Sequence, residues 1–323
     1  MSKFLKPRIV ISKCLDFDKC RYNGEVIPAK FVRRLIKYVD FIPICPEVEI
    51  GLGIPRDPIK IVEKNGKQTL IQPSTDSDLT RKMHNFSKVF LSSLDNVDGF
   101  ILKASSPSCG IKDVKIYPKA KPSMALRKGA GLFAQKVLDE FPGLAIEDEG
   151  RLTNYRIREH FLTKIFLFAR FRKVEQAQSF AKLVDFQTDN KFLFMAYNQT
   201  QMRKMGKIIG ESNKQDIDRI LREYKICLQY MFKNLPRFTS HVNVLMHGLG
   251  YFKKELTSKE KQYFLGLIEK YRKEIIPLSA VLTAIQSWIV KYDQDYLERQ
   301  TYFHPFPEEL IDITDSGKGR DGK

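Results

Sequence analysis

The chain has 323 residues, 43% of them hydrophobic and 23 of them Phe, which is material for two ordinary cores and excludes a disordered polypeptide. Its formal net charge is +17, from 55 Lys and Arg against 38 Asp and Glu, an imbalance that suits a polyanionic partner. No apolar run approaches the roughly 18–20 residues needed to cross a bilayer, so the reading is of a protein with no membrane partner.

The N-terminus (MSKFLKPRIVISK) is basic and runs directly into a β-branched stretch, with no separate apolar segment and small-residue cleavage site. A cytoplasmic protein is expected, in which thiols stay reduced. Five cysteines, an odd number without regular spacing, then point to metal or catalysis before disulfides.

In chain order, residues 8–14 (RIVISKC) read as a strand ending on Cys14, followed by a polar loop with a turn at Asn23 and Gly24. A helix is predicted over 29–38 and a second strand over 40–45 (DFIPIC), ending on Cys45. The Gly- and Pro-rich loop after it carries Glu47, Glu49 and Arg56. Residues 58–71 read as a hairpin around Asn65 and Gly66. A helix over 77–94, capped near Ser77 and Asp78, leads to ILKASSPSCG at 101–110, an apolar strand end that breaks into a tight loop holding Cys109. A short strand at 112–117, a helix at 128–140 and a last strand at 144–147 complete the alternation. The prediction is an α/β domain over 1–148 with an open, mainly parallel sheet in a Rossmann-like three-layer arrangement.

After EDEGR at 147–151 the period changes to 3.6, as over 154–171, 215–233 and 258–271, with Pro236 and Pro277 near helix ends. An all-helical domain is therefore expected over 149–315, and a flexible polar tail over 316–323. The charge concentrates in this half: residues 151–250 carry 18 basic and 8 acidic side chains, whereas 251–323 balance at 12 and 12. Such a segment is the footprint of a protein that displaces counterions from phosphates.

Three cysteines end three strands. In an open parallel sheet the C-terminal strand ends share one edge, and ligands bind outside it. One buried cysteine is as readily a small packing residue, but Cys14, Cys45 and Cys109 in matching positions favour a shared site. Structural zinc needs four protein ligands and close C-x₂–₄-C pairs, which this chain lacks; Cys14 and Cys20 are six apart. Zinc bound by three cysteines and an iron–sulfur cluster held by three thiolates both fit the count. Pro46, directly after Cys45, echoes the last ligand of some ferredoxin motifs.

These residues carry a resemblance. SKCL at 12–15, RYNG at 21–24, CPE at 45–47, GLGIPR at 51–56 and SPSCG at 106–110 follow the order seen in the thiouracil desulfidases, and the N-terminal half over about 7–148 is similar to that family. The C-terminal half, with GRL at 150–152, RE at 158–159, HGLGYF at 247–252 and the YR–IPL run at 271–278, resembles a basic helical domain fused to it in tRNA 4-thiouridine desulfidases. The resemblance implies a [4Fe-4S] cluster on Cys14, Cys45 and Cys109, with one iron left for a thiocarbonyl sulfur. Cys20 lies where the family varies and stays outside that ligand set, and Cys227 reads as a core residue of the helical half.

The implied chemistry is hydrolytic and non-redox: a Lewis acid polarises C=S and water attacks the carbon. Glu47, two residues past a ligand, is the candidate base, with a salt bridge to Arg56 or Arg21 as its structural alternative. Ser106 and Ser108 are candidates to donate to the ring or pass a proton, or equally to cap the turn. Arg21, Arg56 and Lys103 are candidate substrate contacts. Arg156, Arg170, Arg172 and Lys173, with Arg158 and Lys164 between them, form a basic run suited to tRNA phosphates, and Arg203, Lys204 and Lys207 add another. A desulfidase of free thiobases and a non-enzymatic iron–sulfur RNA-binding protein are the competing readings. Monomer and dimer are equally compatible with the sequence.

Overall fold

A computed structural model describes residues 4–118, 124–211 and 216–317. By contact the chain forms two compact units, residues 1–169 with 310–323, and residues 170–309. The first unit opens with β1 (Arg8–Ser12), α1 (Lys30–Leu35), β2 (Asp40–Ile44) and α2 (Pro46–Glu49). It continues through β3 (Lys60–Lys64), β4 (Lys67–Gln72), β5 (Ser77–Asp78), α3 (Thr80–Ser92) and β6 (Gly99–Leu102). Then come β7 (Val114–Pro118), β8 (Arg127–Gly129), α4 (Leu132–Glu140) and β9 (Ala145–Asp148).

Four strands pair in the order β2-β1-β6-β9, every neighbour parallel, with Ile9 opposite both Phe41 and Gly99 and Phe100 opposite Ile146. Parallel strands buried on two faces require near-continuous apolar runs, and β6 (GFIL) is buried at every position. Alternation sends Val10, Phe100 and Leu102 to the face covered by α3 and α4, whose Met83, Leu91, Phe133 and Val137 share their core. Phe86 stacks on Phe90 at 5.6 Å and both meet Phe133. The opposite face receives α5 (Tyr155–Ala177), whose Ile165 lies against Gly99; a Cβ there would stand 2.7 Å from the Ala145 carbonyl.

The α/β reading followed by helices holds, with differences inside it. The predicted hairpin forms, but it belongs to a second, mixed sheet ordered β5-β4-β3-β7-β8, in which β3 pairs parallel with β7. The helix expected from Ser77 begins at Thr80, because Ser77 and Asp78 pair with Gln72 and Ile71 and the Asp78 carboxylate accepts from the Thr80 amide at 2.9 Å. The helix expected from 128 begins at Leu132, since residues 127–129 pair with β7. The first helix stops at Leu35, short of 38, where the chain turns into β2.

The second unit is helical. It takes α5 from Arg170 on, then α6 (Phe180–Asp189), α7 (Lys191–Tyr197), α8 (Gln199–Glu211), α9 (Ile217–Met231), α10 (Phe238–Gly250), α11 (Ser258–Arg272), α12 (Leu278–Lys291) and α13 (Asp295–Glu298). Phe171 stacks on Tyr224 at 5.6 Å, and the Tyr224 hydroxyl donates to Gln187 at 2.6 Å. Gln300 accepts from the Phe192 amide and donates to the Thr188 carbonyl, bridging the break between α6 and α7. Cys227 is buried on α9 with Ile220, Leu221 and Leu228. Ser316 bonds to Thr153 within the first unit, while 318–323, most of the expected tail, lie outside the described residues.

The first unit also buries charge. Lys164 on α5 donates to the Leu144 carbonyl at 3.0 Å, and desolvation lowers its pKa from the ordinary 10.5 to about 8. The folded chain therefore holds this proton less tightly than the unfolded chain. The cost is fully present below pH 8 and fades as the pH rises toward 10.5. Lys164→Met is expected to be more stable than wild type at pH 7 by about 1–2 kcal/mol, after loss of the hydrogen bond to Leu144. Denaturation across pH 7–10.5 checks this; a difference that does not shrink with pH contradicts it.

Candidate active site

The parallel pairing of β2, β1 and β6 lines up their C-terminal ends, and the chain leaves each end through a cysteine-bearing segment. These segments enclose a cavity of about 320 Å³ whose wall includes Cys14, Cys45, Cys109 and Cys20. All five cysteines of the chain are free thiols. Cys20, Cys45 and Cys109 are buried and Cys14 is half-buried. The structure thus brings together the three predicted cysteines and adds a fourth. The signal for Cys20 was its place in the loop between Cys14 and the RYNG turn.

The thiols influence one another. The Cys45 thiol donates to the Cys20 carbonyl at 3.8 Å, and the Cys14 and Cys45 side chains are close enough to act on the Cys20 thiol. The contact with Cys14, followed by burial, pushes Cys20 up to about 11, against the lowering contact with Cys45. Cys45 is raised by its bond to Cys20 and then by burial, and Cys109 by burial, which hydrogen bonds from Ser12 and Ser106 only partly oppose. A set of soft sulfur donors whose thiolates burial disfavours is one that a bound cation would convert to thiolate with proton release. Among the described residues no group of three such side chains stands at the spacing of a single metal ion.

The loop after β6 is shaped by serine. Ser105 takes a positive φ of 58°, and the Ser106 Oγ accepts from the Ser108 and Cys109 amides at 3.2 and 3.1 Å. This is the turn-forming role predicted as an alternative, and it sets the direction of Cys109. The loop sits on the start of α4, where the Ala134 amide donates to the Ser108 carbonyl at 3.0 Å; a Cβ on Gly131 would be 2.5 Å from that oxygen.

Glu47 lies in the turn of α2 that directly follows Cys45. Its Oε1 accepts from Ser108 Oγ at 3.0 Å and Ser106 Oγ at 3.4 Å. Its Oε2 takes both Nη2 of Arg56 at 2.5 Å and Nε at 3.1 Å. The candidate base and its salt-bridge alternative are thus one arrangement. The remaining Arg56 nitrogen, Nη1, donates to the carbonyls of Cys20 and Gly53, and the side chain is only 5% exposed. Arg56 faces the cavity as a positioning group.

Lys103 also lines the cavity, with its Nζ on Glu149 Oε1 at 2.5 Å and on the Ala104 carbonyl. Glu149, just past the fourth parallel strand, went unassigned in the sequence, although the EDEG run at a strand end marks it. Arg21 and Tyr22 stand on the wall together, the guanidinium 5.3 Å from the ring centre and 3.4 Å from Glu25. Ser12, in the quoted SKCL motif, accepts from the Lys103 amide at 2.9 Å.

The basic run on α5 divides. Arg156 and Lys173 are exposed and Arg172 is half-buried. Arg170 turns inward, reaching the Pro305 carbonyl at 3.5 Å with its Nε buried and unpartnered, and desolvation lowers it to about 10. Arg158 is likewise buried, donating to the carbonyls of Leu152, Thr153, Asp312 and Thr314. On α8, Arg203, Lys204 and Lys207 are exposed. No described helix is long and apolar enough to cross a membrane.

Residues 9–149 match the profile of a family described as 2-thiouracil desulfurase, and residues 191–307 that of a protein of unknown function, DUF1722. Uncharacterized protein YbgA of Escherichia coli (strain K12) is 29% identical over 164 residues, 50% of this chain and 87% of that protein. Uncharacterized protein YbbK of Bacillus subtilis (strain 168) is 32% identical over 109 residues, 32% of this chain and 72% of that protein. Among solved structures, a [4Fe-4S]-dependent thiouracil desulfidase, TudS, is 25% identical, covering 46% of this chain and 93% of its own, with a TM-score of 0.36.

The Glu47–Arg56 pair makes a stability prediction. Arg56→Met leaves the half-buried Glu47 carboxylate without its guanidinium and is expected to cost about 1–3 kcal/mol, with a large part recovered in Arg56→Met/Glu47→Gln. Urea denaturation of the four chains measures the coupling. Effects that add within about 0.5 kcal/mol contradict it.

Proposed function

Because this chain belongs, through residues 9–149, to the 2-thiouracil desulfurase family, we propose that it is a desulfidase acting on 4-thiouridine in tRNA and returning it to uridine. The observation that supports this most is the convergence on one cavity of the Cys14, Cys45 and Cys109 thiols with Glu47 and Ser106. Cys14, Cys45 and Cys109 would hold a [4Fe-4S] cluster, and the donor set fits: free thiols, two buried and one half-buried, gathered without disulfides. When bound, the cluster supplies a Lewis acid for a thiocarbonyl sulfur.

The chain's own residues do the rest. Glu47 takes a proton from the attacking water at Oε1, the oxygen that the Ser108 and Ser106 hydroxyls approach. Ser106, on the cavity wall, carries a proton between that carboxylate and the pyrimidine ring, while Ser108, fully buried behind it, holds the carboxylate in place. Arg56 holds Glu47 in orientation through two bonds to the opposite oxygen. Water adds to the carbon, sulfur leaves as sulfide, and a carbonyl replaces the thiocarbonyl. No electrons enter or leave.

The tRNA part rests on charge. A thiolated nucleoside within tRNA must leave its stack to reach an enclosed site, and the backbone must be held meanwhile. The exposed Arg156, Lys173, Arg203 and Lys204 suit phosphates. A free thiobase is the second reading, favoured by a cavity of about 320 Å³ and by the family's substrate.

Two outcomes are expected. Glu47→Gln keeps its iron and sulfide and loses about 10²–10⁴ in turnover; unchanged turnover removes Glu47 as the base. Reversing charge in the full chain (Lys173→Glu with Arg203→Glu and Lys204→Glu) raises KM for 4-thiouridine-containing tRNA about tenfold or more and leaves turnover of free 2-thiouracil within about twofold. Conversion of 2-thiouracil with untouched tRNA assigns the free-base reading, and RNA binding without turnover of either assigns a non-enzymatic role.

A further inference from the structure

Cys20 has no part in the chemistry above, yet it is the most enclosed thiol on the cavity wall, at 1% exposure. Its surroundings are not those of a packing residue. Cys227 lies on the apolar face of α9, whereas Cys20 stands on one cavity wall with Cys14, Cys45 and Cys109. Its backbone is pinned at the same place: its carbonyl accepts from Arg56 Nη1 at 3.1 Å and from the Cys45 thiol at 3.8 Å. The guanidinium that orients Glu47 therefore also fixes the Cys20 main chain.

We propose that Cys20 is a fourth, exchangeable thiolate ligand, binding the iron that Cys14, Cys45 and Cys109 leave open and yielding it to the substrate's sulfur. This rests on the cluster reading above. The exchange is a ligand substitution: the bond from Cys20 to iron breaks, the thiolate takes a proton, and the thiocarbonyl sulfur takes its place. Nothing is oxidised or reduced. The consequence is protection, because an iron with no protein ligand is the one most readily lost, and a tethered thiol holds it between turnovers.

The test compares the anaerobically reconstituted full chain with Cys20→Ser and Cys20→Ala. Iron and sulfide content should be equal in all three. On brief ferricyanide oxidation, the EPR signal of a three-iron cluster should develop at least several-fold faster in both variants than in wild type. Excess 2-thiouracil should shift wild type toward the variants' rate. A measurement on wild type alone guards against misfolded variants: Mössbauer spectra without substrate should show four-sulfur coordination at every iron. Equal rates of iron loss, or a site with oxygen or nitrogen coordination in wild type, overturn the proposal while leaving the three-cysteine cluster intact. Wild type that takes up no iron overturns the cluster reading and this one together.

Discussion

Parallel pairing of β2, β1 and β6 is the constraint from which the site follows. Adjacent strands stand about 4.8 Å apart, so residues just beyond three neighbouring strand ends fall within one small region however far apart they lie in sequence. Cys14, Cys45 and Cys109 are separated by 31 and 64 positions and are brought together by this register and by the serine-shaped loop that carries Cys109 back from the end of β6. The apolar character of the strands, buried on both faces, is what makes the register specific. Gly99 shows how tightly it is set, since even a methyl group there would meet the Ala145 carbonyl of the next strand.

A second level of order comes from one guanidinium. Arg56 bonds to Glu47 and to the carbonyls of Cys20 and Gly53, and its own amide donates to the Tyr22 carbonyl at 2.8 Å. It joins the carboxylate beside Cys45, the loop that carries Cys20 and the Arg21–Tyr22 turn on the cavity wall. In a site of low solvent exposure such a group acts by holding geometry, since its charge is already paired. Lys103 and Glu149 repeat the pattern at the end of the fourth parallel strand.

Much of this was legible in the residues. The β-branched runs that end on cysteine are strands, the Asn-Gly hairpin forms, and the change of period near 150 marks the start of the helices. What was not legible was partnership. Nothing local says that the hairpin strand at Ile61 pairs with Ile116, so the second sheet could not be seen. Ser77 and Asp78 have the composition of helix caps and are drawn into an edge pairing instead. The basic run on α5 is divided for a physical reason. Ile157, Phe161, Leu162, Ile165, Leu167 and Ala169 are all buried, so this stretch of the helix is enclosed around most of its circumference, and Arg158 and Lys164 direct their donors to carbonyls inside. Arg56 differs: it lines the cavity, and its pairing with Glu47 is the alternative the sequence offered.

The central claim is that these strand-end thiols hold an iron–sulfur cluster against Glu47 and Ser106. Crystals of the anaerobically reconstituted chain, with diffraction recorded on both sides of the iron absorption edge, test it most directly. The account predicts anomalous density in the cavity in contact with the Sγ atoms of Cys14, Cys45 and Cys109, with the Glu47 carboxylate facing it. Iron bound elsewhere, or a cavity that takes zinc and no iron, would contradict it.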